Sequence, residues 1–397
     1  MEKQMRFVSF RIMRAVLVTV LPLLLLAGCR QERERPVRRA AKRDVEQEIP
    51  LRYARRFTMK KVGSCTLIEI RKPKGARLGV FYRYLLVPEG ETAPSGYPDA
   101  LVVATPVRKV TCGLGLQVAM IGQLDRIESI AGVGMGKWTG NPEIRRKMAA
   151  GEVLETGMSA DMNMEAMVSI DPDIAFVYSS GSDTDIHDKL LSMGIRPGLV
   201  CMHLEEHPLG VLEWIRFFGA FYGREKEAEA CFRSAAERYE KLETSVKDSF
   251  SVCPTVIVGH ATRGIWTTHG SSAWFIRFLH DAGARYILEE SGEYEENPVS
   301  LEHALKVGIE AEYWVNPRYN AKTITDLLGD DKRYQYFSSV KFGKVFNNDN
   351  LTFDDGRTLF WETGMMEPDE VLRDLVAIFH PGLVPGHRMK YYRRMMR

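Results

Sequence analysis

The chain has 397 residues, a formal net charge of +2, 27% charged residues and 45% hydrophobic ones. So even a balance gives no global field for nucleic acid, and no basic stripe interleaved with aromatics supplies a local one. A single core stops growing near roughly 250–300 residues, so this length implies two lobes.

The N-terminus comes first. Lys3, Arg6, Arg11 and Arg14 precede an apolar run, 15–27, broken only by Thr19 and Pro22. That is the layout of a signal peptide over 1–28, and the run is shorter than the roughly 20 residues of a bilayer span. It ends in Leu26-Ala27-Gly28-Cys29, which resembles a bacterial lipobox. The resemblance implies a diacylglycerol on the Cys29 thiol and a mature N-terminus there, hence a lipid anchor in a membrane and a periplasmic location. Residues 29–50 are dominated by Arg, Lys, Glu and Gln. Such a stretch buries too little surface to order itself and reads as a charged tether, whose basic half either lies on anionic headgroups or acts as a plain linker.

Residues 51–207 read as an N-terminal lobe opened by a β extension. Over 53–110 short β-rich runs, such as 65–70 and 81–87, alternate with Pro-Gly-Ser turns, as in antiparallel strands. Beyond 110, helical patterns at 116–124 and 165–170 alternate with strand-like runs at 127–133 and 174–178, the signature of βα units around a parallel sheet. Residues 208–249 then read as two consecutive helices, the second an amphipathic one over 224–247. At 1.5 Å per residue it would be about 35 Å long, enough to cross from one lobe to another. Residues 250–385 repeat the βα pattern as a C-terminal lobe: strands at 255–259 and 313–315, helices at 273–280, 302–307 and 369–379. Residues 386–397 read as a basic tail. Cys65, Cys112, Cys201, Cys231 and Cys253 form no C-x-x-C pair, and their odd number implies no disulfide framework.

Two segments repeat across the halves. Asn163-Met164-Glu165 and Ser300-Leu301-Glu302 each open a short helix that leads into a buried strand, with an N-cap residue two positions before the glutamate. Each acid sits on the exposed first turn of its helix. Singly, each would only complement a helix dipole, for about 0.3–1 kcal/mol. Repeated once per lobe, the pair suits a two-fold symmetric partner offering an arginine pocket on each subunit.

These runs, the Glu213-Trp214-Ile215-Arg216-Phe217-Phe218-Gly219 entry to the helices and the closing Phe360-Trp361-Glu362-Thr363-Gly364 resemble the substrate-binding proteins of the cobalamin and ferric-siderophore importers. The likeness covers about 57–381. It implies an α/β fold with two Rossmann-like lobes joined by a single long helix, a class III periplasmic binding protein. It further implies a monomeric, non-enzymatic binding protein of an ABC importer, with Glu165 and Glu302 docking on arginines of the permease dimer. Gly308-Ile309-Glu310 departs from the family's Pro-Asp, which leaves the ligand open.

No cofactor is expected; the implied ligand is a corrinoid, a ferric siderophore or haem. A stiff joining helix permits only small rocking, so capture relies on a preformed cleft. Expected lining comes from loops carrying Lys137, Trp138, Tyr178, Arg263, Trp266, His269, Ser271, Trp274 and Tyr294. Trp138 and Trp266 are the preferred stackers, Arg263 or Lys137 would meet acidic groups, and His269 or Tyr294 would be the axial ligand of a haem.

Two other classes compete. His203-Leu204-Glu205-Glu206-His207 fits the H-x-x-E-H pattern of zinc peptidases, and would make the chain a secreted zinc-dependent hydrolase. Pro208 follows at once and disfavours helix at His207, so the ligand geometry fails. A surface lipoprotein binding a glycan or a protein would need neither glutamate. No G-x-x-x-x-G-K-[ST] appears, so the importer's ATPase would be another chain.

Overall fold

The computed structural model describes residues 45–71, 79–181, 185–249, 252–288 and 297–397; the segment 1–28 expected to be a signal peptide, Cys29 and Tyr294 lie outside them. Strands β1 (Glu46–Ile49), β2 (Phe57–Val62), β3 (Cys65–Arg71) and β4 (Val80–Pro88) pair antiparallel in chain order, and β5 (Leu101–Thr105) joins β4 in parallel. Alternation puts Phe57, Met59, Ile68, Ile70, Tyr84 and Leu86 on a buried face. Tyr84 ties this sheet to the first lobe: its hydroxyl donates to the Pro197 carbonyl at 3.1 Å and accepts from the Leu199 N–H at 2.7 Å.

The tether reading fails at its end. Residues 46–49 form an edge strand on β2 with Glu46 paired to Lys60 at 2.9 Å, because a backbone ladder needs no apolar side chains to form.

The first lobe follows as β6 (Val110–Cys112), α1 (Gly115–Gln123), β7 (Ile130–Val133), α2 (Pro142–Ala149), β8 (Leu154–Glu155), α3 (Met164–Ile170), β9 (Ile174–Tyr178), α4 (His187–Ser192) and β10 (Pro197–Val200). Its strands are all parallel, in the order β10-β9-β6-β7-β8. Three helices then connect: α5 (Pro208–Glu213), α6 (Ile215–Tyr222) and α7 (Glu225–Lys247). Gly223 ends α6 at φ 62° with open space around it, so the left-handed turn itself calls for glycine. The buried stripe of α7 begins with Ala228 beside Gly219 of α6 and continues through Tyr239, whose ring meets Phe278 and whose hydroxyl donates to Asp281.

The second lobe runs through β11 (Thr255–Val258), β12 (His260–Thr262), β13 (Ile265–Thr268), α8 (Trp274–Asp281), β14 (Arg285–Tyr286), β15 (Asn297–Ser300), α9 (Leu301–Gly308), β16 (Tyr313–Val315), α10 (Ile324–Asp330), α11 (Ser338–Lys341), β17 (Val345–Asn347), α12 (Pro368–Phe379) and β18 (Arg393–Arg394). Its main sheet has the order β14-β11-β16-β17-β18, and β12-β13-β15 form a small antiparallel sheet. Helix α12 of this lobe packs on α7, so α7 touches both sides of the molecule.

The basic tail is likewise not a tail. Strand β18 pairs antiparallel with β17, and Tyr391 and Tyr392 are fully buried. The buried Asp374 carboxylate accepts the backbone N–H groups of Lys390, Tyr391 and Tyr392. Charge on the flanking arginines hid two aromatic anchors.

Candidate ligand cleft and exposed carboxylates

In open α/β sheets, ligand sites gather beyond the carboxyl ends of the parallel strands. Here the loops after β6, β7 and β10 of the first lobe meet those after β11, β16 and β17 of the second. Between them lie two contiguous chambers that share Trp138, Trp274, Thr358 and Trp361.

The first chamber, ≈ 310 Å³, is apolar. Leu114, Leu116, Met135 and Met202 line it from the first lobe, and Trp274, Trp361 and Met365 from the second. The second chamber, ≈ 500 Å³, is walled by His260, His269, Asn316, Arg318, Asn347 and Asn348, with Trp138 as its member from the first lobe. Trp274 and Trp361 meet edge to face, with centroids 6.0 Å apart at 78°. Trp138 stands edge-on to Tyr319 at 5.9 Å, and the Arg357 guanidinium lies 5.2 Å from its ring centre.

Glu362 joins the lobes at this cleft. It belongs to a π-helical turn, Phe360–Gly364, of the second lobe, and its carboxylate accepts the Gly140 N–H of the first lobe at 2.7 Å. A Cβ on Gly115 would fall 2.7 Å from the same Oε2, so the start of α1 needs glycine to let the carboxylate approach. Burial pushes the Glu362 carboxyl up to about 7, against the opposing pull of the Gly140 and Asn141 N–H groups.

His203 lines the apolar chamber and stacks on Tyr178, centroids 4.0 Å apart at 21°. Burial pulls its pKa down to about 3, so the imidazole is neutral, and neither ring nitrogen has a hydrogen-bond partner among the described residues. The H-x-x-E-H spacing does not gather a metal site. His203 sits in the 3-10 turn Met202–Leu204, while His207 caps α5, its Nδ1 accepting the Leu209 N–H at 3.0 Å. Among the described residues no group of three His, Cys, Asp or Glu side chains is placed to hold a metal ion.

Of the lining expected from sequence, Trp138, His269 and Trp274 face the cleft. Tyr178 stands behind His203, Lys137 is exposed beside Trp138, and Ser271 lies in the turn before α8, outside both linings. Two expectations are corrected. Trp266 is fully buried among Trp314, Tyr334 and Phe337, its Nε1 donating to the Val258 carbonyl at 2.9 Å. On β13 its neighbours Ile265 and Thr267 point outward, so strand alternation sends it into the core. Arg263 occupies the turn between β12 and β13 at φ 53°, exposed and outside both linings.

Sequence reasoning missed Trp361, His203, Asn316 and Thr358. The available signal was position: Asn316 directly follows a buried strand, where α/β loops meet a ligand.

Glu165 and Glu302 are both exposed, and Asn163 and Ser300 cap their helices by accepting the Ala166 and His303 N–H groups at 3.0 and 3.2 Å. Both α3 and α9 return to the amino end of the strand that follows, so each helix N-terminus lies at the carboxyl edge of its sheet. Asp171 at φ 47° makes the tight return from α3.

A family model described as periplasmic binding protein matches residues 121–350. An uncharacterized lipoprotein of Methanocaldococcus jannaschii is 25% identical over 325 residues, which cover 78% of this chain and 75% of that one. Among solved structures, a periplasmic heme-binding protein from Pseudomonas aeruginosa superposes with a TM-score of 0.53 at 17% identity, over 69% of this chain and 93% of that one. A protein of the ABC-type Fe3+-hydroxamate transport system from Saccharomonospora viridis gives 0.52 at 15% identity, over 69% and 94% of the two chains.

Proposed function

This chain belongs to the periplasmic binding protein family, and on that premise we propose that it is the lipid-anchored, substrate-capturing component of an ABC importer. Its ligand is a metal chelate of the corrinoid, ferric-siderophore or haem kind. The observation that carries this reading is the tryptophan-walled cleft between two α/β lobes, apolar on one side and polar on the other. Aromatic faces bury the apolar surface of such a chelate while a few polar groups fix its orientation. Solved proteins of this fold whose names mention heme and Fe3+-hydroxamate support the chelate class. A relative called a lipoprotein supports the anchor at Cys29.

In this reading Glu165 and Glu302 dock on the permease. Neither touches the cleft lining, so capture and delivery are separable. The double variant Glu165→Ala/Glu302→Ala should bind chelate as the parent does and support no uptake by cells. Undiminished uptake would end the docking assignment. In the same cells Cys29→Ser should move the protein from the membrane to the soluble fraction, and retention on the membrane would end the anchor assignment.

A further inference from the structure

The charge inventory of the cleft narrows the ligand further. Among the described residues, the one arginine of the polar chamber's lining and the lysine and arginines just behind it each lie beside a carboxylate. Arg318 pairs with Asp330 at 3.1 Å, and Arg357, over Trp138, pairs with Asp355. Lys322 and Arg393, just behind the chamber, both bind the buried Asp349 at 2.8 Å. Burial and the Arg318 charge lower the His260 pKa, which leaves that imidazole neutral. In the apolar chamber the only ionisable groups of the lining, among the described residues, are the neutral His203 and the buried Glu362, which is an acid. Lys137 is outside the lining altogether.

Apart from His269, whose ring packs on Phe275, the remaining polar side chains of the lining are uncharged, among them Asn316, Asn348, Thr267 and Tyr319. Bringing an ionised carboxylate or catecholate into such a wall strips its water and returns no opposite charge, which costs several kcal/mol per ion. Amide, hydroxyl and neutral carbonyl groups meet their match there, since asparagine both donates and accepts.

We propose that the cleft selects a chelate with an uncharged, amide- or hydroxyl-bearing edge, seated on the second lobe, and an apolar face against Trp138, Trp274 and Trp361. This rests on the chelate-capture reading above. It separates that broad class into ligands the cleft admits, neutral ones, and ligands it rejects, those carrying two or more ionised acids.

The experiment is a tryptophan-fluorescence titration of the purified chain with four probes. Cyanocobalamin and the neutral ferric hydroxamate ferrichrome represent the uncharged edge; haemin, with two carboxylates, and a ferric tris-catecholate represent the anionic one. At least one neutral probe should bind about tenfold or more tighter than both anionic ones. Its affinity should change by no more than about twofold between low and high salt, since no counterion is displaced. Tighter binding of haemin or the tris-catecholate, or an affinity that collapses with salt, overturns the neutral-edge assignment and leaves chelate capture standing. Binding of none of the four overturns chelate capture itself, and the neutral edge with it.

Discussion

Trp361 is 41% exposed and presents an aromatic face to both chambers, whereas Trp266 is wholly buried. The two therefore do different work. Trp361→Ala should weaken chelate binding by about tenfold, the scale of one lost aromatic contact with its burial, and leave the melting temperature nearly unchanged. Trp266→Ala should cost about 3–5 kcal/mol of stability through the cavity it leaves, read by denaturant unfolding. Glu362 makes a prediction in pH. Its folded value of about 7 lies above the ordinary 4.5, so between those two pH values the native chain keeps a proton that the unfolded chain has released. Its favourable contribution is complete below pH 4.5 and is lost as pH rises toward about 7. Relative to Glu362→Gln, the parent should thus lose roughly 3 kcal/mol across that window and then stay level. Parallel pH profiles of the two proteins would show that this carboxyl keeps its ordinary value.

At the scale of elements, buried carboxylates hold segments that hydropathy would leave loose. Glu213, fully buried on α5, accepts the N–H groups of Arg52, Tyr53 and Ala54, each at 2.8 Å. Glu205 takes the next two, Arg55 at 2.7 Å and Arg56 at 3.0 Å, together with the indole of Trp214. Five consecutive backbone donors are thereby satisfied by two side chains next to the helical connection, which fixes the strap between β1 and β2. Truncating Glu213 leaves three donors without an acceptor. Glu213→Ala should cost about 3 kcal/mol and speed hydrogen exchange at residues 52–54, with the central strands β9 and β11 unaffected by anything beyond the global loss.

For the whole molecule, the joining helix and the Glu362 contact act together. Helix α7 runs 23 residues, Glu225–Lys247, without a glycine or proline, and packs on both α6 and α12. Such a strut resists bending where a flexible strand pair would hinge. Spin labels placed on exposed sites of the two lobes should give one narrow distance distribution that moves little on adding chelate. Two well-separated populations would mean that the lobes close as a clamp.

The sequence by itself determined the periodicities. Alternation and 3.6-residue repeats follow directly from which side chains must be buried, so the long helix over 224–247 and the capped glutamates were legible, with ends correct to a residue or two, whereas the strand expected over 127–133 begins only at Ile130, after a 3-10 turn. What only the tertiary structure decided was which way loops and chain ends face. The Trp266 and Trp361 rings are equally apolar in one dimension, yet strand alternation buries the first and a π-helical turn turns the second to the cleft. Residues 46–49 and 391–394 look like solvated charge, and they become ordered because distant partners, β2 and Asp374, satisfy their backbone groups. Local patterns record burial, whereas a cleft is made by loops far apart in the chain, whose meeting no single segment encodes.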